Sequence, residues 1–340
     1  MRKKTNIQSG ATCCTLLAVI IICFLLFGGR CGSEFEILLD DKGSADPPNV
    51  LLYWTESGSG IKRILTDETV IETVVSIISP RVPLDIALDM TGRKVYWAEY
   101  SGGTTFQIRR TGLDGTGEEL FRSYSGHGPT AIAIDPVAQM IYWNETNISA
   151  PKNDLLRSYL NAPVPVLTPE KQFKKITDIY TYALCLDTIN RKTYLNAGSY
   201  WNVHAAFGSG NSGAVYQSEM DNDTYMQQIT GTGSANPSTP FRGIAVDGSG
   251  SHVYYVDYTI ANPFILSIKR ANLNVQSPSE WITAAGFSIE KITLDKKGGK
   301  IYWTSGADNS IYRADLAAPN SNVEKFLQLD GMPTGIVIAR

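Results

Sequence analysis

Leu84-Asp85-Ile86-Ala87-Leu88-Asp89-Met90-Thr91-Gly92-Arg93-Lys94-Val95-Tyr96-Trp97-Ala98-Glu99 decides the fold. An apolar run ends in Asp89, a tight turn follows at Thr91-Gly92, and a second strand carries an aromatic pair that starts seven positions after the Asp. The same ruler recurs from Asp135 to Tyr142, Asp187 to Tyr194, Asp247 to Tyr254 and Asp295 to Tyr302. A further copy is divided between the ends of the chain. Leu52-Tyr53-Trp54 lacks an upstream strand, and Pro333 to Ala339 lacks a downstream one.

Six hairpin units whose odd halves sit at opposite ends describe a closed ring. Each hairpin leads into a third strand, marked by Ile61-Lys62-Arg63, Ile108-Arg109-Arg110, Leu156-Arg157, Val215-Tyr216, Ile268-Lys269-Arg270 or Ile311-Tyr312-Arg313. A turn such as Leu113-Asp114-Gly115 then leads to an outer strand such as Glu119-Leu120-Phe121. Four antiparallel strands repeated radially make a propeller blade, so the expected fold is all-β: a six-bladed β-propeller closed by the C-terminal strand joining the N-terminal blade. Joining the two ends pairs edges that would otherwise be open. The Asp that ends each first strand sits where a turn needs an acceptor for backbone N–H groups. A Tyr-Trp pair on opposite faces of a strand places one ring against each neighbouring blade, and each large aromatic buries roughly 150–250 Å².

The aromatic strands read Tyr53-Trp54-Thr55-Glu56, Tyr96-Trp97-Ala98-Glu99, Tyr142-Trp143-Asn144-Glu145, Tyr194-Leu195-Asn196-Ala197, Tyr254-Tyr255-Val256-Asp257 and Tyr302-Trp303-Thr304-Ser305. Over residues 49–340 they closely resemble the YWTD six-bladed propellers of the low-density lipoprotein receptor family. That resemblance implies an extracellular propeller acting as a protein-interaction or receptor module. Three departures bear on the receptor role: Glu stands for the fourth-position Asp in three repeats, Ala197 and Ser305 remove the acid in two more, and flanking cysteine-rich modules are absent.

Residues 1–30 have the parts of an export signal: basic Arg2-Lys3-Lys4, an uncharged run from Ala11 to Gly29, then Gly28-Gly29. The run is long enough to cross a bilayer if it is retained. Cys31-Gly32-Ser33 also resembles the start of a mature bacterial lipoprotein, although Arg30 stands where a small residue is expected. Residues 31–48 are polar and turn-rich and read as a tether. The expected location is therefore extracytoplasmic, secreted or tethered to the envelope, with membrane contact only through the N-terminal segment. Of five cysteines, Cys185 alone lies in the body, which excludes an internal disulfide framework and fits a small buried residue. The formal net charge is −3, and all charges of the first thirty residues are basic, so the body is acidic. This argues against a nucleic-acid partner.

No catalytic constellation emerges. His127, His204 and His252 are the histidines, and no paired zinc ligands, Gly-x-Ser-x-Gly elbow or phosphate loop is present. No metal site or cofactor is assigned. Calcium is the one cofactor considered, because six-bladed lactonases and related hydrolases hold it in the central channel. Glu56, Glu99, Glu145 and Asp257 could face one rim, and these same acids also suit hydrogen bonds between blades. The candidate binding surface is the pair of long second-to-third-strand connections at 146–154 and 197–212, above all Tyr200, Trp201, His204 and Phe207 in a Gly-rich setting. Folding of these aromatics over the ring opening is the competing reading. Asn144, Asn147 and Asn222 open triplets matching the N-glycan acceptor pattern. The expected molecule is a monomeric propeller binding an extracellular or envelope protein; the alternative is a calcium-dependent lactonase or hydrolase.

Overall fold

The computed structural model describes residues 50–147, 152–166, 171–177, 180–198, 213–221, 227–232, 243–259, 265–273, 278–285 and 288–339. The export segment 1–30, the tether 31–48, Asn222 and the four candidate aromatic and histidine residues of 200–207 lie outside them.

All the described elements are strands. Blade 1 holds β1 (Leu51–Glu56), β2 (Gly60–Leu65) and β3 (Glu72–Ser76). Blade 2 is β4 (Val82–Asp89), β5 (Lys94–Gly102), β6 (Thr105–Gly112) and β7 (Glu119–Ser125). Blade 3 is β8 (His127–Asp135), β9 (Met140–Asn147), β10 (Lys152–Tyr159) and β11 (Lys171–Thr177). Blade 4 is β12 (Tyr180–Asp187), β13 (Lys192–Gly198), β14 (Gly213–Glu219) and β15 (Gln227–Thr232). Blade 5 is β16 (Ile244–Asp247), β17 (His252–Thr259), β18 (Ile265–Asn272) and β19 (Pro278–Ala285). Blade 6 is β20 (Ile289–Asp295), β21 (Lys300–Ser305), β22 (Ser310–Asp315) and β23 (Glu324–Gln328); β24 (Pro333–Ala339) returns to blade 1. Each sheet is four-stranded and antiparallel, and blade 1 has the order β24-β1-β2-β3. The first strands β4, β8, β12, β16, β20 and β24 form the inner ring, each packed against the next.

Closure is a strand pairing. Leu51 faces Ala339, Tyr53 faces Val337 and Thr55 faces Gly335, so the two ends of the chain supply one sheet. The hairpin turns follow from the Asp at their start. Asp89 Oδ1 accepts Gly92 N–H at 2.8 Å, Asp187 Oδ1 accepts Asn190 N–H at 2.9 Å, and Asp247 Oδ1 accepts Gly250 N–H at 3.0 Å. Asp135 and Asp295 do the same for Ala138 and Gly298. In each turn the residue before the second strand is left-handed: Arg93, Gln139, Arg191, Ser251 and Gly299 have φ between 52° and 65°. Four of these five are not glycine, so the Asp-anchored turn carries that conformational cost.

The described residues form six apolar clusters, each holding the first aromatic of one blade and the second-position residue of the next. They pair Tyr53 with Trp97, Tyr96 with Trp143, Tyr142 with Leu195, Tyr194 with Tyr255, Tyr254 with Trp303, and Tyr302 with Trp54. The rings thus lie between blades, as the alternation of the strand requires. Polar contacts run the same way. Arg63, Arg110 and Arg157, in the third strands, donate to the Leu113, Leu160 and Met220 carbonyls of the following blade at 3.0, 2.6 and 2.8 Å. Each also donates to the tyrosine hydroxyl of its own blade. In blade 4, Gln217 faces Tyr194 where arginine would stand.

Candidate functional site

Strand direction sends every second-to-third-strand connection, and every link from one blade to the next, out of one face of the ring. The first-to-second and third-to-fourth turns leave the other face. The first of these, the loop face, is framed by the aromatic strands, and the described residues resolve what each motif position does there.

The first position packs toward the following blade and the second toward the preceding one. The third meets the bulged start of an inner strand. Pairing of the inner strands is irregular between Pro83 and Asp85, Pro129 and Ile132, Thr181 and Ala183, and Ile289 and Ile292, which leaves backbone N–H groups to be satisfied. Asn144 Oδ1 accepts the N–H groups of Thr130 and Ala131 at 3.1 and 2.7 Å, and Thr304 Oγ1 accepts that of Lys291 at 3.0 Å. The Asn144 amide also donates to the Thr181 carbonyl of blade 4 at 2.6 Å. At 1% exposure it is not a glycan acceptor in the folded protein.

The fourth position supplies the acids weighed as calcium ligands. Glu56 accepts the indole N–H of Trp54 at 3.2 Å and the backbone N–H of Gly331 at 2.9 Å. Glu99, fully buried, accepts the Trp97 indole N–H at 2.7 Å, both arms of Arg81 at 2.9 and 2.8 Å, and the Ser101 hydroxyl at 2.9 Å. Asp257 is ion-paired with Lys269. In blade 3 the Trp143 indole donates to the Tyr124 hydroxyl instead, and Glu145 lies 2.6 Å from His127 Nε2. Desolvation raises the Glu145 pKa, Asp154 adds to the rise, and His127 and Arg122 oppose it. Asp154 faces Glu145 across β9 and β10, and its buried Oδ1 has no hydrogen-bond donor among the described residues. Ser305 of blade 6 carries no acid, and among the described residues the buried Trp303 indole N–H has no acceptor.

Each acid is thus engaged locally, at a separate blade. Among the described residues, no group of three or more His, Cys, Asp or Glu is placed to hold a metal ion. Cys185 lines the channel on β12, where burial raises its thiol pKa. His252 opens β17 opposite Asp247.

The two connections expected to be long differ. β9 runs to Asn147 and β10 starts at Lys152, with Asn153 facing Thr146, so strand pairing takes up most of 146–154. Between Gly198, where β13 ends, and Gly213, where β14 begins, the connection is long, and Tyr200, Trp201, His204 and Phe207 fall in its undescribed part. Sequence marks Arg63, Arg110 and Arg157 as third-strand residues but does not show their bonds to the next blade. They look like ordinary polar residues of a half-exposed strand, although an arginine recurs in the third strand of five of the six blades.

No protein-family model matches the chain. A 96-residue segment, 28% of this chain, is 31% identical to mouse low-density lipoprotein receptor-related protein 5, and it spans 6% of that protein's length. The nidogen/laminin complex contains a chain that superposes with a TM-score of 0.63 at 18% identity, over 86% of this chain and 98% of that one. TolB from Acinetobacter baumannii superposes with a TM-score of 0.64 at 12% identity, over 86% and 67%. A putative 6-phosphogluconolactonase from Bacteroides uniformis reaches 0.55 at 11%, over 86% and 99%. Repeat chemistry and ring agree: the chain is a six-bladed β-propeller whose repeats are similar to those of the YWTD type.

Proposed function

We propose that this chain is an extracytoplasmic protein-interaction module, receptor-like in its use of a propeller, which binds an extracellular or envelope protein through the loop face. The observation that carries the reading is the engagement of the rim acids. Glu56, Glu99 and Asp257 are consumed by bonds that build the ring, which leaves the loops for recognition. The partial match to a receptor-related protein and the fold shared with a chain of the nidogen/laminin complex support it. In this reading residues 1–30 direct export or anchor the chain, 31–48 tether it, and the monomeric propeller of 49–340 presents Tyr200, Trp201, His204 and Phe207. Tyr and Trp dominate binding energy at many interfaces.

The second reading is a calcium-dependent lactonase or hydrolase, favoured by the fold shared with the putative 6-phosphogluconolactonase. Two measurements separate them. Purified full-length protein is expected to contain less than stoichiometric calcium; one tightly held ion per chain would favour the hydrolase. Capture of a surface protein is expected to be lost when 199–212 is replaced by a short Gly-Ser turn. Undiminished capture would overturn the assignment of recognition to that loop.

A further inference from the structure

Aligning the inner strands on their last residue places Asp85, Ala131, Ala183, Gly243 and Lys291 four positions before Asp89, Asp135, Asp187, Asp247 and Asp295, and Gly335 four before Ala339. One level of the ring therefore holds one acid, one base and four residues with no more than a methyl group. The two long side chains meet. Lys291 Nζ lies 3.1 Å from Asp85 Oδ2, with the side chains 10% and 9% exposed.

Their blades, 6 and 2, are not neighbours; blade 1 lies between, and at this level it offers Gly335. A Cβ there would fall 2.7 Å from Thr55 Oγ1 and 3.1 Å from Asp85 Cα, so the inner wall has no room for a side chain at that point. Asp85 Oδ2 also accepts the N–H of Ile132 in blade 3 at 3.0 Å, and Lys291 Nζ makes a long 3.5 Å approach to the Tyr182 carbonyl in blade 4. The surrounding channel, about 280 Å³, is otherwise walled largely by apolar side chains, among them Leu88, Ile134, Leu186, Val246 and Leu294. A lone charge is costly in such a place, whereas a formally neutral, hydrogen-bonded pair is tolerated. Neither residue has a reason to be there without the other.

We propose that Asp85 and Lys291 form a strap across the central channel, which ties blades 2, 3, 4 and 6 together and puts the protein's own ammonium where a channel cation would otherwise sit. The channel is then part of the scaffold and not a ligand path. This goes beyond the binding reading and does not depend on it.

The strap is tested by acetylating the native full-length chain with acetic anhydride and mapping lysines by peptide mass. Lys296 lines the same channel at its mouth, with a side chain 45% exposed, and serves as the internal reference. Lys291 is expected to react at least about tenfold more slowly than Lys296, because its ammonium is desolvated and paired. Asp85→Asn is expected to remove most of that protection. Equal rates in the natural chain, or protection unchanged in Asp85→Asn, would overturn the strap. Should Asp85→Asn fold poorly, melting of Lys291→Met and of the Asp85→Asn/Lys291→Met double variant decides. A double variant that melts above Lys291→Met supports the strap, and one that melts at or below Lys291→Met refutes it.

Discussion

At the residue scale, the four-residue motif is a division of labour. The first two positions fill the seams on either side of a blade, the third satisfies a bulged inner strand where it is Asn144 or Thr304, and the fourth gives the buried indole N–H an acceptor where it is Glu56 or Glu99. The packing role was legible in the sequence, because alternation along a strand dictates it. The capping role was not, because it depends on where an indole nitrogen ends up. Glu99→Ala strands the Trp97 indole and leaves Arg81 with Glu118 as its remaining acid partner, and we expect it to cost about 3 kcal/mol in urea unfolding. Glu145 behaves differently. Its pKa is raised above that of the unfolded chain, so its contribution to stability is fully present below the unfolded value and is lost as pH rises through the folded one. Glu145→Gln should therefore melt no lower than the natural chain at neutral pH. Its advantage should shrink as pH falls toward the carboxylate range, which thermal melts at stepped pH would show.

At the scale of elements, the hairpin ruler was readable because a side-chain acceptor at a fixed distance from a left-handed residue is a local device. What the sequence could not reveal is how tightly turns of one blade seat against the next. Gly115, in the turn Leu113-Asp114-Gly115, has φ 83°, and a Cβ there would lie 2.0 Å from the Val74 carbonyl of blade 1. Both the dihedral and the contact forbid a side chain. Gly115→Ala should therefore cost about 2 kcal/mol or more, read as a lowered urea midpoint with unchanged slope. Blade 4 departs furthest from the pattern, with Leu195 for the second aromatic and Gln217 for the arginine. The long connection between Gly198 and Gly213 belongs to this same blade.

At the scale of the molecule, the divided repeat was the most informative feature of the sequence, and the β1–β24 pairing bears out its reading. Removing 333–340 would strip blade 1 of its inner strand and expose an edge of β1 beside the channel. We expect that truncation to abolish cooperative folding, and a truncated chain with an unchanged melting midpoint would refute closure. The channel pair was illegible because Asp85 and Lys291 are far apart in sequence and meet only through the curvature of six blades. Repeats build the ring, and the recognition we propose resides in the uneven loops. Its most direct test is the Tyr200→Ala/Trp201→Ala variant, measured for partner capture and for melting temperature together. Lost capture with an unchanged melting temperature is the predicted result. Retained capture, or a collapse in stability, would contradict it.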